Sequence, residues 1–240
     1  MIKKIIQGLI KKKSSSCSAV IVAAGSSNRM KGEDKLMIML NGKTVLERSI
    51  ELFQNSEVID EIVIVTRQDL MGYVDSLCRA RGFTKVKAIT EGGETRVHSV
   101  MKGLDHVSAK AGLVAIHDGA RPLVTQEVIS DTISAALSYY AAAPAIPVKD
   151  TIKVAEHHVV TDTPDRSKLF AVQTPQIFDY DLLCGALQKA LQEQTPITDD
   201  CSAVEALGMR VYLTAGSEEN IKITTPIDVI LAEAILRRRG

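Results

Sequence analysis

Tryptophan is absent from the 240 residues, and Phe, Trp and Tyr together make up 4% of them. So thin an aromatic complement excludes the stacking platforms on which single-stranded nucleic acids are held. An excess of one charge is also lacking, since 29 Lys and Arg stand against 29 Asp and Glu, a formal net charge of zero. A domain that binds nucleic acid by bulk phosphate neutralisation needs a basic excess, so no nucleic-acid partner is expected. No apolar run approaches the ~20 residues needed to cross a bilayer, which excludes stable membrane insertion by a helix. The four cysteines, Cys17, Cys78, Cys184 and Cys201, form no CxxC pair and have no neighbouring histidine at zinc-binding spacing, a scatter that fits a reduced, cytoplasmic protein. Familiar catalytic signatures are missing too. Met30 stands where a P-loop beginning at Gly25 needs its second glycine, Ser27 stands where a dinucleotide fingerprint needs one, and no GxSxG elbow occurs.

The remaining composition, 45% hydrophobic and 24% charged, is that of a globular protein. Residues 1–17 carry Lys3, Lys4, Lys11, Lys12 and Lys13 among isoleucines and leucines, too broken by charge for a secretion signal. They are expected to form a flexible extension before a single domain at 18–240, although a basic amphipathic helix touching anionic lipid is the other reading.

Residues 19–23 form a short continuous apolar run, the pattern of a strand buried on both faces in a parallel sheet. Residues 44–53 place Leu46, Ile50 and Phe53 on one helical face, with Thr44 as N-cap and Glu47 closing a capping box. Strands at 62–65, 86–89 and 113–116 then alternate with helices at 70–81, 97–106 and 125–140, before an extended segment at 144–148. Repeated units of this kind imply right-handed crossovers and an α/β fold, a mostly parallel sheet with helices on both faces. Ligands of such sheets bind beyond the carboxyl ends of the strands. The rhythm breaks at about 149–172, where polar–apolar alternation predicts a projecting antiparallel arm with a turn at Thr163-Pro164-Asp165-Arg166. Helices resume at 179–191 and 199–207, then a strand at 211–213 and a last helix that opens on Thr225-Pro226-Ile227-Asp228 and ends at Arg237-Arg238-Arg239.

Chemistry is carried by the loops at the predicted strand ends. Ala23-Ala24-Gly25-Ser26-Ser27 is a small-residue turn whose amides can approach a phosphate chain, with Arg29 and Lys35 soon after it. In Gly92-Gly93-Glu94-Thr95-Arg96, followed by Ser99, the glycines let the backbone approach a ligand, though Gly-Gly before a helix is also an ordinary turn. His117-Asp118-Gly119-Ala120-Arg121-Pro122 follows an apolar strand. There a carboxylate can hold a hard cation such as Mg2+ and Arg121 can bind phosphate, or the two can form an ion pair that holds the loop. Further polar groups stand at Lys149-Asp150-Thr151-Ile152-Lys153, Asp165-Arg166, Thr174-Pro175-Gln176, Thr198-Asp199-Asp200 and Asn220-Ile221-Lys222-Ile223-Thr224. The histidines make no metal-ligand group, His98 and His106 falling on a helix and His157-His158 in a turn.

In combination these motifs resemble the 2-C-methyl-D-erythritol 4-phosphate cytidylyltransferase family from about residue 18 to 238. The resemblance implies a Rossmann-like nucleotidyltransferase fold and a homodimer whose arm reaches into the partner's site. It implies the transfer of CMP from CTP to methylerythritol phosphate with release of pyrophosphate, in non-mevalonate isoprenoid precursor biosynthesis. By that resemblance Ala23, Ala24, Gly25, Ser27, Arg29 and Lys35 line the CTP triphosphate. Gly93, Glu94 and Ser99 hold cytosine or its ribose, with Gly119 close by. Asp118 faces both substrate and a divalent cation, Mg2+ or another, while Arg121, Thr198 and Lys222 hold the polyol phosphate. Thr151 and Arg166 are supplied across the dimer, and Arg29, Lys35, Asp118 and Lys222 carry the catalysis. Three positions depart from the family pattern, Ser27 and Asp34 where glycine and proline are frequent and Glu94 where aspartate is frequent. Two other functions share these residues, a cytidylyltransferase acting on ribitol 5-phosphate or a related pentitol phosphate and a non-catalytic nucleotide-binding module.

Overall fold

A computed structural model describes residues 16–25 and 34–240; the extension at 1–15 and the loop at 26–33, with Ser27 and Arg29, lie outside the described residues. The first strand, β1 (Cys17–Ala23), begins one residue before the expected domain boundary. Its side chains alternate, Cys17, Ala19, Ile21 and Ala23 entering one core and Val20 the other. The same alternation recurs in β4 (Glu61–Thr66) and β6 (Leu113–Asp118), where Ile62, Ile64, Leu113 and Ala115 face one way and Val63, Val65, Val114 and Ile116 the other. Strands buried on both faces need cover on both, and helices supply it. On one side lie α1 (Val45–Gln54), α2 (Gln68–Arg81), α4 (Gln126–Tyr139) and α7 (Pro226–Arg239); on the other lie α3 (Arg96–Leu104), α5 (Tyr180–Glu193) and α6 (Asp200–Ala206).

The sheet is completed by β5 (Val86–Glu91), β7 (Ala141–Pro147), β10 (Phe170–Val172), β11 (Gln176–Asp179) and β12 (Tyr212–Ala215). Its order is β10-β7-β11-β6-β1-β4-β5, with β12 on the other side of β7. The pairs β1/β4, β1/β6, β4/β5 and β7/β12 are parallel. An antiparallel wedge departs from the expected rhythm, because β11 inserts between β6 and β7 and runs against both. It is only four residues long and abuts α5, so its periodicity is lost in the helix that follows. A two-stranded ribbon of β2 (Met39–Leu40) and β3 (Lys43–Thr44), also unforeseen, leads into α1.

Helix starts follow their sequence signals with one exception. Thr44 caps α1 by accepting Glu47 N–H at 3.1 Å, but the Glu47 carboxylate pairs with Arg81 at 2.7 Å, 4% of Glu47 being exposed. A buried carboxylate gains more from a guanidinium than from the second half of a capping box. At α7 the acidic half forms, Asp228 accepting from the Thr225 amide at 2.7 Å.

The arm is present as an antiparallel hairpin of β8 (Val154–Glu156) and β9 (Val159–Asp162). Its reversal falls at His157 and His158, φ +48° and +67°, the double left-handed geometry that suits a two-residue hairpin turn. Residues 163–166, expected to turn the arm, lead instead into a short 3-10 helix at Arg166–Lys168 capped by Asp165.

Candidate active site

The order β6-β1-β4 reverses direction at β1, and at such a switch point the crevice opens beyond the strand ends. A cavity of about 410 Å³ lies there. One wall is Ala23, Ala24 and Gly25 at the end of β1, and a second is Gly93, Glu94, Thr95 and Ser99 ahead of and within α3. Val22, Lys35 and Leu36, with Arg96, Asp118, Ala120 and Lys222, close the rest. A larger groove of about 650 Å³ between α2 and β5 contains none of the candidate residues.

The two glycines serve the protein before any ligand. A Cβ on Gly92 would sit 2.3 Å from the Ala24 Cβ, and one on Gly93 would sit 2.4 Å from the His98 Cβ. Glycine is therefore what lets the β1 loop and the α3 loop meet and share a wall. Ser99 is buried, accepts Gly93 N–H at 3.0 Å and donates to Thr95 carbonyl at 3.0 Å, so it shapes the loop that bears Glu94. Asp34 stiffens the turn ahead of Lys35 through its own carboxylate. Its Oδ1 accepts Leu36 N–H at 3.1 Å and its Oδ2 pairs with Arg67 at 2.6 Å.

Asp118, at the end of β6, is surrounded by cations. Lys222 Nζ lies 2.7 Å from its Oδ2, Arg96 3.7 Å from its Oδ1 and Arg121 3.9 Å from its Oδ2. Burial opposes its charge, but Lys222, Arg96 and Arg121 prevail and hold its pKa down to about 2. The carboxylate thus keeps three like charges together at one mouth. Arg96 in turn pairs at 2.7 Å with Asp200, which is fully buried. Burial raises the Asp200 pKa against the pull of Arg96. Behind the mouth, His117 is enclosed, its ring 4.7 Å from that of Phe53, and burial lowers its pKa to about 4. It is a neutral structural residue of the loop.

Of the residues expected to bind CTP, Ala23, Ala24, Gly25, Lys35, Gly93, Glu94, Ser99 and Asp118 line this one cavity. Gly119 stands beside it, donating its amide to Val22 carbonyl at 2.9 Å. Lys222 lines it from the far side; Arg121 is fastened behind Asp118, donating to Asn220 carbonyl at 2.7 Å. Thr198 is exposed just before α6, outside the cavity lining. Thr151 and Arg166 are exposed on the arm, where Arg166 donates to Lys149 carbonyl at 2.7 Å, and the fold of one chain does not bring them to the cavity. Arg96 and Asp200 had no assigned role from sequence, though each stands two residues after one that did, Glu94 and Thr198. Their pairing joins loops 104 residues apart, a juxtaposition no local spacing encodes.

A divalent ion finds little here without substrate. Among the described residues no three His, Cys, Asp or Glu side chains gather as a metal cluster. Asp118 alone is a single carboxylate, which suits an ion such as Mg2+ that takes most of its remaining oxygens from phosphates and water.

A family model described as 2-C-methyl-D-erythritol 4-phosphate cytidylyltransferase matches residues 17–238. The chain belongs to this family. A cytidylyltransferase of that name from Caldanaerobacter subterraneus subsp. tengcongensis is 48% identical over 224 residues, 92% of this chain and 99% of the relative. Another from Clostridium novyi is 46% identical over 91% of this chain and 95% of its own. Among solved structures, the 4-diphosphocytidyl-2C-methyl-D-erythritol synthase of Anaerococcus prevotii is similar with a TM-score of 0.84 at 32% identity, covering 96% of this chain and 99% of that one. The cytidylyltransferase of Thermus thermophilus gives 0.75 at 31% identity, over 91% and 98%. The Rossmann-like fold of the cytidylyltransferase family is thus the fold of this chain.

Proposed function

We propose that this protein transfers CMP from CTP to 2-C-methyl-D-erythritol 4-phosphate, giving 4-diphosphocytidyl-2-C-methyl-D-erythritol and pyrophosphate. The observation that carries the reading is the Asp118 cluster, where Lys222, Arg96 and Arg121 converge within 3.9 Å of one carboxylate at the mouth of the nucleotide-sized cavity. The reaction joins two anions. A phosphate oxygen of the polyol attacks the α-phosphorus of CTP, a P–O bond forms there, and the bond to the β-phosphate oxygen breaks in line. The acceptor phosphate is already ionised near neutral pH, so no general base is needed. Repulsion is the barrier, and fixed cations that hold both phosphates in line lower it. Lys35 stands on the triphosphate side, where the resemblance also assigns Arg29, while Lys222, Arg121 and Thr198 hold the polyol phosphate. Bound by Asp118 and phosphate oxygens, Mg2+ would supply further charge neutralisation.

The arm supports a homodimer. Val154, Val159 and Val160 are 46%, 67% and 53% exposed on an isolated two-stranded hairpin, which is marginal in water unless something packs on it. A second copy packing there would bring Thr151 and Arg166 to the partner's site. Cytoplasmic residence agrees with the cysteines remaining free and with the finding that no described helix is long and apolar enough to cross a membrane.

The test is pyrophosphate release with CTP and Mg2+, in parallel with 2-C-methylerythritol 4-phosphate, ribitol 5-phosphate and no acceptor. Release with the first acceptor alone is expected. Release with ribitol 5-phosphate alone would move the acceptor assignment, and CTP binding without release would leave a nucleotide-binding module.

A further inference from the structure

The segment Gln173-Thr174-Pro175-Gln176, which leads from β10 into the first residue of β11, carries three polar side chains that are 5%, 4% and 3% exposed. Each is bonded to a different loop of the site. Gln173 donates to Ser217 carbonyl at 2.8 Å, and its Oε1 accepts Ser217 N–H at 3.3 Å and Asn220 Nδ2 at 3.1 Å. Asn220 leads directly to Lys222 and accepts Arg121 at its carbonyl. Gln176 donates to Asp199 at 2.8 Å and accepts the amides of Asp200 and Cys201, each at 3.1 Å, next to Thr198.

Thr174 sits between them, and the direction of each of its bonds follows from chemistry. His117 Nε2 lies 3.1 Å from Arg121 carbonyl, which only accepts, so Nε2 carries the proton and Nδ1 presents a lone pair. The Thr174 hydroxyl, 3.1 Å away, therefore donates to Nδ1, and its oxygen accepts Asp118 N–H at 3.1 Å. One hydroxyl thereby sets the backbone at Asp118 and, through His117, at Arg121. Its own carbonyl takes Asn220 Nδ2 at 3.0 Å.

We propose that Gln173, Thr174 and Gln176 are positioning residues, a buried hub that aligns the loops bearing Asp118 and Arg121, Thr198, and Lys222 without touching substrate. The proposal rests on the assignment of those loops to the polyol phosphate. The walls of the cavity at Ala24 and Glu94 are built by other contacts, and only Asp118, which faces both substrates, is shared with the hub, so loss of the hub acts more on the acceptor than on CTP.

Thr174→Val keeps shape and removes both hydroxyl bonds, and Thr174→Ser restores them. For Thr174→Val, kcat/KM for the methylerythritol phosphate is expected to fall at least ~10-fold with the KM for CTP within about twofold, and Thr174→Ser to return near wild type. Unchanged acceptor kinetics, an equal rise in both KM values, or no rescue by serine would overturn the proposal. Gln173→Leu carries the same expected split should Thr174→Val not fold. A wild type that releases no pyrophosphate with this acceptor would count against the functional reading instead. Hydrogen exchange at the Asp118 amide then decides the hub: faster exchange in Thr174→Val but not in Thr174→Ser upholds it, and equal exchange in all three overturns it.

Discussion

A histidine in a site motif invites a catalytic role, and His117 illustrates how burial removes one. With its pKa lowered to about 4 by enclosure, it is neutral at every pH at which the enzyme is expected to work. That shift makes it a stability group. Between pH 6.5 and about 4 the unfolded chain binds a proton there that the folded chain refuses, so stability falls as pH falls through that window. Denaturation by urea is expected to show about 2 kcal/mol lost through this group from pH 7 to pH 5, and a shallower fall in His117→Gln. Lys35 is the opposite case, a cavity-lining cation presented by the Asp34–Arg67 turn. Lys35→Ala is expected to keep its melting temperature and lose about 10²–10³ in kcat, the cost of removing a group that meets charge in the transition state. An unchanged kcat in the pyrophosphate assay would remove Lys35 from the mechanism.

The loops after β1 and β5 show what elements add to residues. Each is an unremarkable turn in isolation, and they become a wall because Gly92 has no Cβ to strike Ala24. Gly92→Ala is expected to destabilise the protein by about 1–3 kcal/mol, the usual cost of overpacking, and to raise the KM for CTP. Adding Ala24→Gly removes the 2.3 Å clash and is expected to recover most of both, a coupling that a thermal-melt double-mutant cycle measures. If the two substitutions are additive, the loops are not packed against each other in solution.

For the whole molecule the decisive question is where the arm goes. Arg166 is remote from its own chain's cavity and stands on the arm just after the hairpin with the exposed valines. If it serves the partner's site, a mixed dimer of Lys35→Ala and Arg166→Ala chains holds one intact site, made of the second chain's body and the first chain's arm. Refolding or co-expressing the two inactive variants in equal amounts is then expected to restore about a quarter of wild-type activity, from random pairing in a two-fold dimer. Mixing that restores nothing, with dimers present by sedimentation, would place Arg166 outside the site.

Local pattern was sufficient for most of the elements and for the loops that line the cavity mouth. The continuous apolar runs of β1, β4 and β6 fit doubly buried strands, and loops at the ends of such strands pointed to Ala23 to Gly25, Lys35 and Asp118, while the family resemblance added Gly93, Glu94 and Ser99; the fold brings all of them to one cavity. Small residues and glycine at strand ends, caps at Thr44 and Thr225, and balanced charge are properties of short stretches of chain, and short stretches state them directly. What the sequence could not determine is whatever depends on contact between distant segments. The four-residue β11 wedged between β6 and β7, the Asp200–Arg96 pair and the bonds from Gln173, Thr174 and Gln176 exist only once the sheet is assembled. A buried polar side chain takes whichever partner the tertiary fold brings within about 3 Å, and the identity of that partner is written nowhere in its neighbours.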